Sequence, residues 1–106
     1  MDSQQQQPQQ IFQDNHFQVL GSRSDKESLY IAKIFLRRFG NVELHSNGEA
    51  TNISVRIAER FQREGIATIT KIDQFTMKAN EKQIVKFIVS LKLTSEGKCR
   101  IDEELN

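Results

Sequence analysis

The side chains to weigh first for covalent or acid–base chemistry are His16 and His45, the only histidines, the single Cys99, and the carboxylates Glu43 and Glu49 that flank one turn. Nucleophilic catalysis needs a base held against a nucleophile. His16 stands at the edge of the globular sequence, and His45 occupies a strand end, where a histidine is usually a partly exposed strand residue. Glu43 and Glu49 would need an enclosed pocket to act as an acid–base pair. No Gly-x-x-x-x-Gly-Lys loop, His-x-x-x-His spacing or Asp-x-Asp pair occurs. A lone cysteine makes no internal disulfide, and no Cys/His spacing matches a metal site. The expectation is a protein with no catalytic residue, no metal and no cofactor: not an enzyme.

Binding chemistry is better represented, in three segments. The first is Ser22-Arg23-Ser24-Asp25-Lys26, which leads into a helix. The second is Ser46-Asn47-Gly48, which leads into another, with Asn52 in its first turn. The third is a hairpin tip bearing Lys78 and Lys82. Backbone amides at a helix start attract anions. Two such starts at one edge of a parallel pair of strands, with a basic arm, would follow a phosphate backbone without reading bases. Arg23, Lys26, Lys78 and Lys82 are then the phosphate-neutralising residues, and Asn47, the Gly48 amide and Asn52 the hydrogen-bonding ones.

The elements that must position these groups follow from periodicity. Phe17, Val19 and Gly21 alternate with Gln18, Leu20 and Ser22 as in a strand. Ser24-x-x-Glu27 is a capping box for a helix over about 25–39, with Leu29, Ala32, Phe35, Leu36 and Phe39 on one face and Gly40 as its stop. A short strand at 42–45 precedes a helix over about 49–64 that ends at Gly65. Arg56, Arg60 and Arg63 stripe its outer face, either salt-bridged to Glu59 and Glu64 or free for phosphate. Residues 66–78 form a third strand whose alternation slips, calling for a bulge near Lys71–Asp73, with Phe75 and Met77 back on the side of Ala67 and Ile69. Phe87, Val89, Leu91 and Leu93 give the clearest strand, facing opposite to Lys86, Ser90 and Lys92. The fold class is thus α+β, a two-layer βαβαββ sandwich of a four-stranded mixed sheet and two helices.

At 106 residues the chain fits one domain. Residues 1–15 are glutamine-rich and too polar to form a core, so they are expected to be a disordered tail. Residues 16–95 make the domain, and 96–106 a flexible acidic tail. The net charge of +1 is misleading, since residues 16–95 hold thirteen basic and eight acidic residues, a balance of +5. That suits a polyanion partner. The N-terminus has no apolar signal core and no apolar run is long enough to span a membrane, so an intracellular location is expected, nucleus and/or cytoplasm, with no membrane partner.

From Val42-Glu43-Leu44-His45 through Gly48-x-Ala50, with Ala58-Glu59 and Gly65-Ile66-Ala67-Thr68-Ile69-Thr70-Lys71-Ile72, the chain resembles the Alba family, nearest to its small eukaryotic members. The likeness runs back through Ala32-Lys33 and Leu36 and forward to Val89-Ser90-Leu91-Lys92-Leu93, covering about residues 17–94. It implies a βαβαββ fold, pairing into dimers, and binding of RNA and/or DNA largely without sequence specificity. Archaeal members coat chromatin, and eukaryotic ones are associated more with RNA, translation control and ribonucleoprotein particles. The family's Lys-Lys-Pro falls at Ser22-Arg23-Ser24, so only Arg23 keeps the charge. Its Arg-Gly-Arg turn falls at Asn47-Gly48-Glu49, where the glycine remains and Glu49 replaces a cation. The resemblance therefore implies a homodimer, or a heterodimer with a related subunit, that binds nucleic acid more weakly than a chromatin-coating relative. The alternative is a dimerisation or protein-interaction subunit of a ribonucleoprotein with little direct nucleic-acid binding.

Overall fold

The computed structural model describes residues 14–105. The disorder expected at the N-terminus concerns residues that, apart from 14 and 15, lie outside that range. Four strands and three helices alternate as β1 (His16–Gln18), α1 (Asp25–Phe39), β2 (Asn41–Asn47), α2 (Ala50–Arg63), β3 (Ala67–Ala79), β4 (Lys82–Leu93) and α3 (Ser95–Leu105). The sheet order is β1-β2-β4-β3. β1 and β2 are parallel, and the β2–β4 and β3–β4 pairs are antiparallel. The mixed sheet expected from the sequence is present, with one helix more than the two expected.

α1 begins where the capping box places it: the Glu27 amide donates to Ser24 Oγ at 3.1 Å. It stops at Gly40, whose φ of +77° turns its N–H back to the Leu36 carbonyl. The apolar faces of α1 and α2 lie on one side of the sheet. Phe17 and Phe35 stack there at 5.4 Å between ring centres, among the buried Leu36, Leu44, Phe61, Val89 and Leu91. Val42, Leu44 and Ser46 of β2 point into this core, so Glu43 and His45 occupy the opposite, helix-free face.

The bulge in β3 falls between Ile69 and Lys71, making Thr70 the extra residue, slightly earlier than the alternation indicated. Its consequence also differs. After the bulge Ile72 pairs with Val89, and the new parity persists to the end of the strand. Phe75 and Met77, opposite Lys86 and Ile84, therefore face away from the helices instead of rejoining Ala67 and Ile69.

Residues 96–105 are not a loose acidic end. They belong to α3, and four contacts hold it. The Thr94 hydroxyl donates to the Gly65 carbonyl at 2.6 Å and accepts the Gly97 N–H at 2.9 Å, capping the helix. Arg100 Nη1 donates to the Glu64 carbonyl at 2.6 Å, and Lys33 Nζ meets Glu104 at 2.6 Å. That lysine holds the Glu104 carboxyl below its ordinary range. Ile101 is fully buried in the core. A single deep apolar residue in an acidic stretch leaves little periodic signal, which is why the sequence read as a tail. Gly97 adds to the disguise, because glycine is a poor helix former. Here its bareness is required: a Cβ at that position would lie 2.0 Å from the Ile66 carbonyl oxygen.

Two substitutions test this docking. Ile101→Ala removes a fully buried side chain and is expected to lower unfolding free energy by about 2–4 kcal/mol. Gly97→Ala is expected to destabilise despite its higher helix propensity. Urea denaturation followed by circular dichroism measures both; stability unchanged in either variant would mean that α3 does not complete the core.

Candidate functional site

The parallel pairing of His16 with Glu43 and of Gln18 with His45 sends both strands out of the sheet at the same end. The loops that follow, residues 19–24 and 48–49, therefore open α1 and α2 side by side. β4 runs antiparallel to β2 and pairs with it up to Asn47–Lys86. The β3–β4 ladder continues beyond that pair to Ala79–Lys82, four residues further. At ~3.3 Å per residue the hairpin projects about 13 Å past the loops at that same end. Strand register alone thus brings the three sequence-predicted segments together at one edge.

In the first loop the Arg23 N–H donates to the Leu20 carbonyl at 3.2 Å, closing a turn. Arg23 is half-buried, and its Nη1 is enclosed with no hydrogen-bond partner among the described residues. Lys26 is exposed in the first turn of α1. Its neighbour Asp25 is neutralised by a two-pronged contact from Arg56, with Nε and Nη2 at 2.6 and 3.0 Å from the two carboxylate oxygens. This pair bridges α1 to α2 and holds the Asp25 carboxyl below its usual range. Arg60 pairs with Glu64, and Arg63 with Glu59. The arginine stripe of α2 is thus a salt-bridged outer face.

The second loop differs from the sequence reading in one respect. Gly48 has φ +55° and is exposed, but its N–H donates across to the Val85 carbonyl at 3.4 Å. The Thr51 and Asn52 amides donate to the Gly48 and Glu49 carbonyls. The amides of Glu49 and Ala50 are the donors of this turn left without a partner among the described residues. Asn47 and Asn52 are exposed beside them. Gly48 acts as a joint between the loop and the hairpin base, and the free donors lie just after it.

The hairpin turn is two residues long, Asn80 and Glu81, with φ of +53° and +67°, the mirror-image geometry that suits the twist of paired strands. Lys78 and Lys82 are exposed on either side of it and make no ion pair among the described residues. Sequence reasoning missed Lys86, which pairs with Asn47 at the base of the arm. Only the β2–β4 register reveals it.

A separate cluster lies on the helix-free face. His16 Nε2 and His45 Nε2 approach the same Glu43 Oε1 at 3.2 and 3.1 Å. The two rings are 4.7 Å apart. Burial pushes the His45 pKa down, opposed by its hydrogen bond to Glu43, so its neutral form is favoured. No metal-ligating group was expected from the sequence, because His16 is far from the other two along the chain; the Glu43-x-His45 spacing on a strand was the one local signal.

The Alba family profile matches residues 15–76. ALBA1 from Trypanosoma brucei has a similar crystal structure, at 16% identity and a TM-score of 0.76, over 86% of this chain and 79% of that one. Alba from Thermoplasma volcanium is similar at 14% identity and a TM-score of 0.59, over 74% of this chain and 99% of that one. Comparison with curated protein sequences gives no match.

The turn itself offers a direct test. Glu81 holds a left-handed conformation that costs a side chain about 1 kcal/mol and that glycine adopts freely. Glu81→Gly is expected to stabilise the hairpin, read as slower amide exchange in residues 76–85. Faster exchange in that variant would contradict the two-residue turn.

Proposed function

Since the chain belongs to the Alba family, known for nucleic-acid binding, we propose that it binds RNA and/or DNA through the phosphate backbone, with little dependence on base sequence, as a dimer and without enzymatic activity. The observation that carries this reading is the basic arm: Lys78 and Lys82, exposed and without an ion pair among the described residues, on a hairpin that overhangs the two helix starts. Arg23, Lys26 and Lys86 extend the positive charge back toward the sheet, and Asn47, Asn52 and the Glu49 and Ala50 amides supply hydrogen-bond donors beside it. Each of these groups suits a phosphate oxygen, and none is set in a groove-reading helix. Glu49 and Glu81 stand at the same edge and repel phosphate. The binding is accordingly modest and salt-sensitive.

Neutralising three or four phosphates gives a slope of log affinity against log salt of roughly −2 to −4. The double variant Lys78→Glu/Lys82→Glu is expected to lose most binding to a homopolymer RNA at low salt while retaining its native circular dichroism. Filter retention at two salt concentrations measures this. Wild-type retention by the variant, or no salt dependence in the parent, would contradict the arm's role.

The second reading is a subunit that binds protein partners through this fold, and the apolar surface of the arm favours it. Ile72 is 56% exposed and Val85 40%, while Phe75 and Met77 are each 49% exposed on the opposite face. An arm with apolar side chains on both faces is better suited to packing against another chain than to standing alone in water. Under the dimer proposal a second copy covers part of this surface. Ile72→Asp with Val85→Asp is then expected to convert a dimer to a monomer in light scattering, and an unchanged mass would remove this surface from the interface.

A further inference from the structure

We propose that His16, Glu43 and His45 form a binding site for a zinc-like transition-metal dication. The site is independent of the basic edge. It lies on the helix-free face of the sheet, where the parallel register sets His16 of the edge strand directly beside Glu43 and the pleat sets His45 two residues on, on the same face.

The donor set and its spacing both fit. Two imidazole nitrogens and a carboxylate oxygen are a zinc ligand set that leaves a fourth position for water or an outside ligand. A tetrahedral ion with ligand bonds of about 2.0–2.2 Å holds its donor atoms about 3.3–3.5 Å apart. Glu43 Oε1 lies 3.2 Å from His16 Nε2 and 3.1 Å from His45 Nε2. Two of the three edges of the ligand triangle are thus close to their bound lengths, and all three donor atoms lie within 4.8 Å of one another. Side-chain rotation alone can make the remaining adjustment, since the strands fix the three backbones.

Binding requires each neutral ring to carry its proton on Nδ1, which frees the Nε2 lone pair. A shallow groove of about 330 Å³, lined by Asn15, Asn41, Thr70, Ser90 and Lys92, adjoins the cluster on its Glu43 side. A metal held across β1 and β2 would also fasten a three-residue edge strand to the strand that orients both loops.

The test uses the full chain without an affinity tag and with Cys99→Ser, because Cys99 is an exposed free thiol. Co²⁺ is the probe, since its visible absorption is strong only in tetrahedral or five-coordinate sites. Expected results are one equivalent of Co²⁺ bound, intense visible bands that Zn²⁺ abolishes, and a thermal midpoint that rises with metal and returns to the metal-free value with chelator. His16→Gln alters an exposed side chain and is expected to fold normally, weaken binding more than about tenfold, and lose the visible bands. Weak octahedral absorption and an unmoved midpoint in the parent would overturn the proposal. So would undiminished binding in folded His16→Gln, which would place the metal elsewhere. In either case Glu43 serves only as a hydrogen-bond acceptor pinning the two rings.

Discussion

The parallel hydrogen bonding of β1 to β2 is the constraint on which the arrangement depends. Parallel neighbours require a crossover, and α1 supplies it, so both strands leave the sheet in the same direction. Two helix starts then sit at one edge of the sheet, and the Asp25–Arg56 pair bridges their helices. The same register sets His16 against Glu43 and so creates the cluster on the reverse face. β1 is only three residues long. Phe17, stacked on Phe35 in the core, anchors it from one side. From the outside it is held by Asp14, which accepts the His16 N–H, and by the Asn15–Asn41 side-chain contact. A strand this short cannot rely on its ladder, and the side-chain anchors keep it in register.

Charge is distributed to match. On α2 the arginines are paired with carboxylates, and Asp25 is occupied by Arg56, so this outer surface is locally neutral. Exposed pairs of this kind add little stability. What they do is remove competing charge from the helix face. Lys78 and Lys82 on the arm and Lys26 beside the first loop make no ion pair among the described residues, so positive charge remains at the edge where an extended anion can lie along it.

Much of this was legible in the sequence, for physical reasons that can be named. The capping box at Ser24, the stop at Gly40 and the alternation from Phe87 to Leu93 are local signals, each read within a few residues. The candidate loops were legible for the same reason. Non-local facts were not. α3 depends on Ile101 reaching a core made by distant elements and on Gly97 passing close to Ile66. The outward turn of Phe75 and Met77 depends on how a bulge is absorbed by the partner strand. Loss of the Gly48 amide to Val85, the place of Lys86, and the meeting of His16 with Glu43 and His45 all follow from strand register, which composition and periodicity leave open.

The most direct measurement is a backbone NMR titration of the protein with a short homopolymer RNA at low salt. The account predicts shifts concentrated at Arg23, Lys26, Asn47, Glu49, Ala50, Lys78, Lys82 and Lys86, which fade together as salt is added. Shifts confined to α3 or the outer face of α2, or spectra unchanged at saturating RNA, would contradict it.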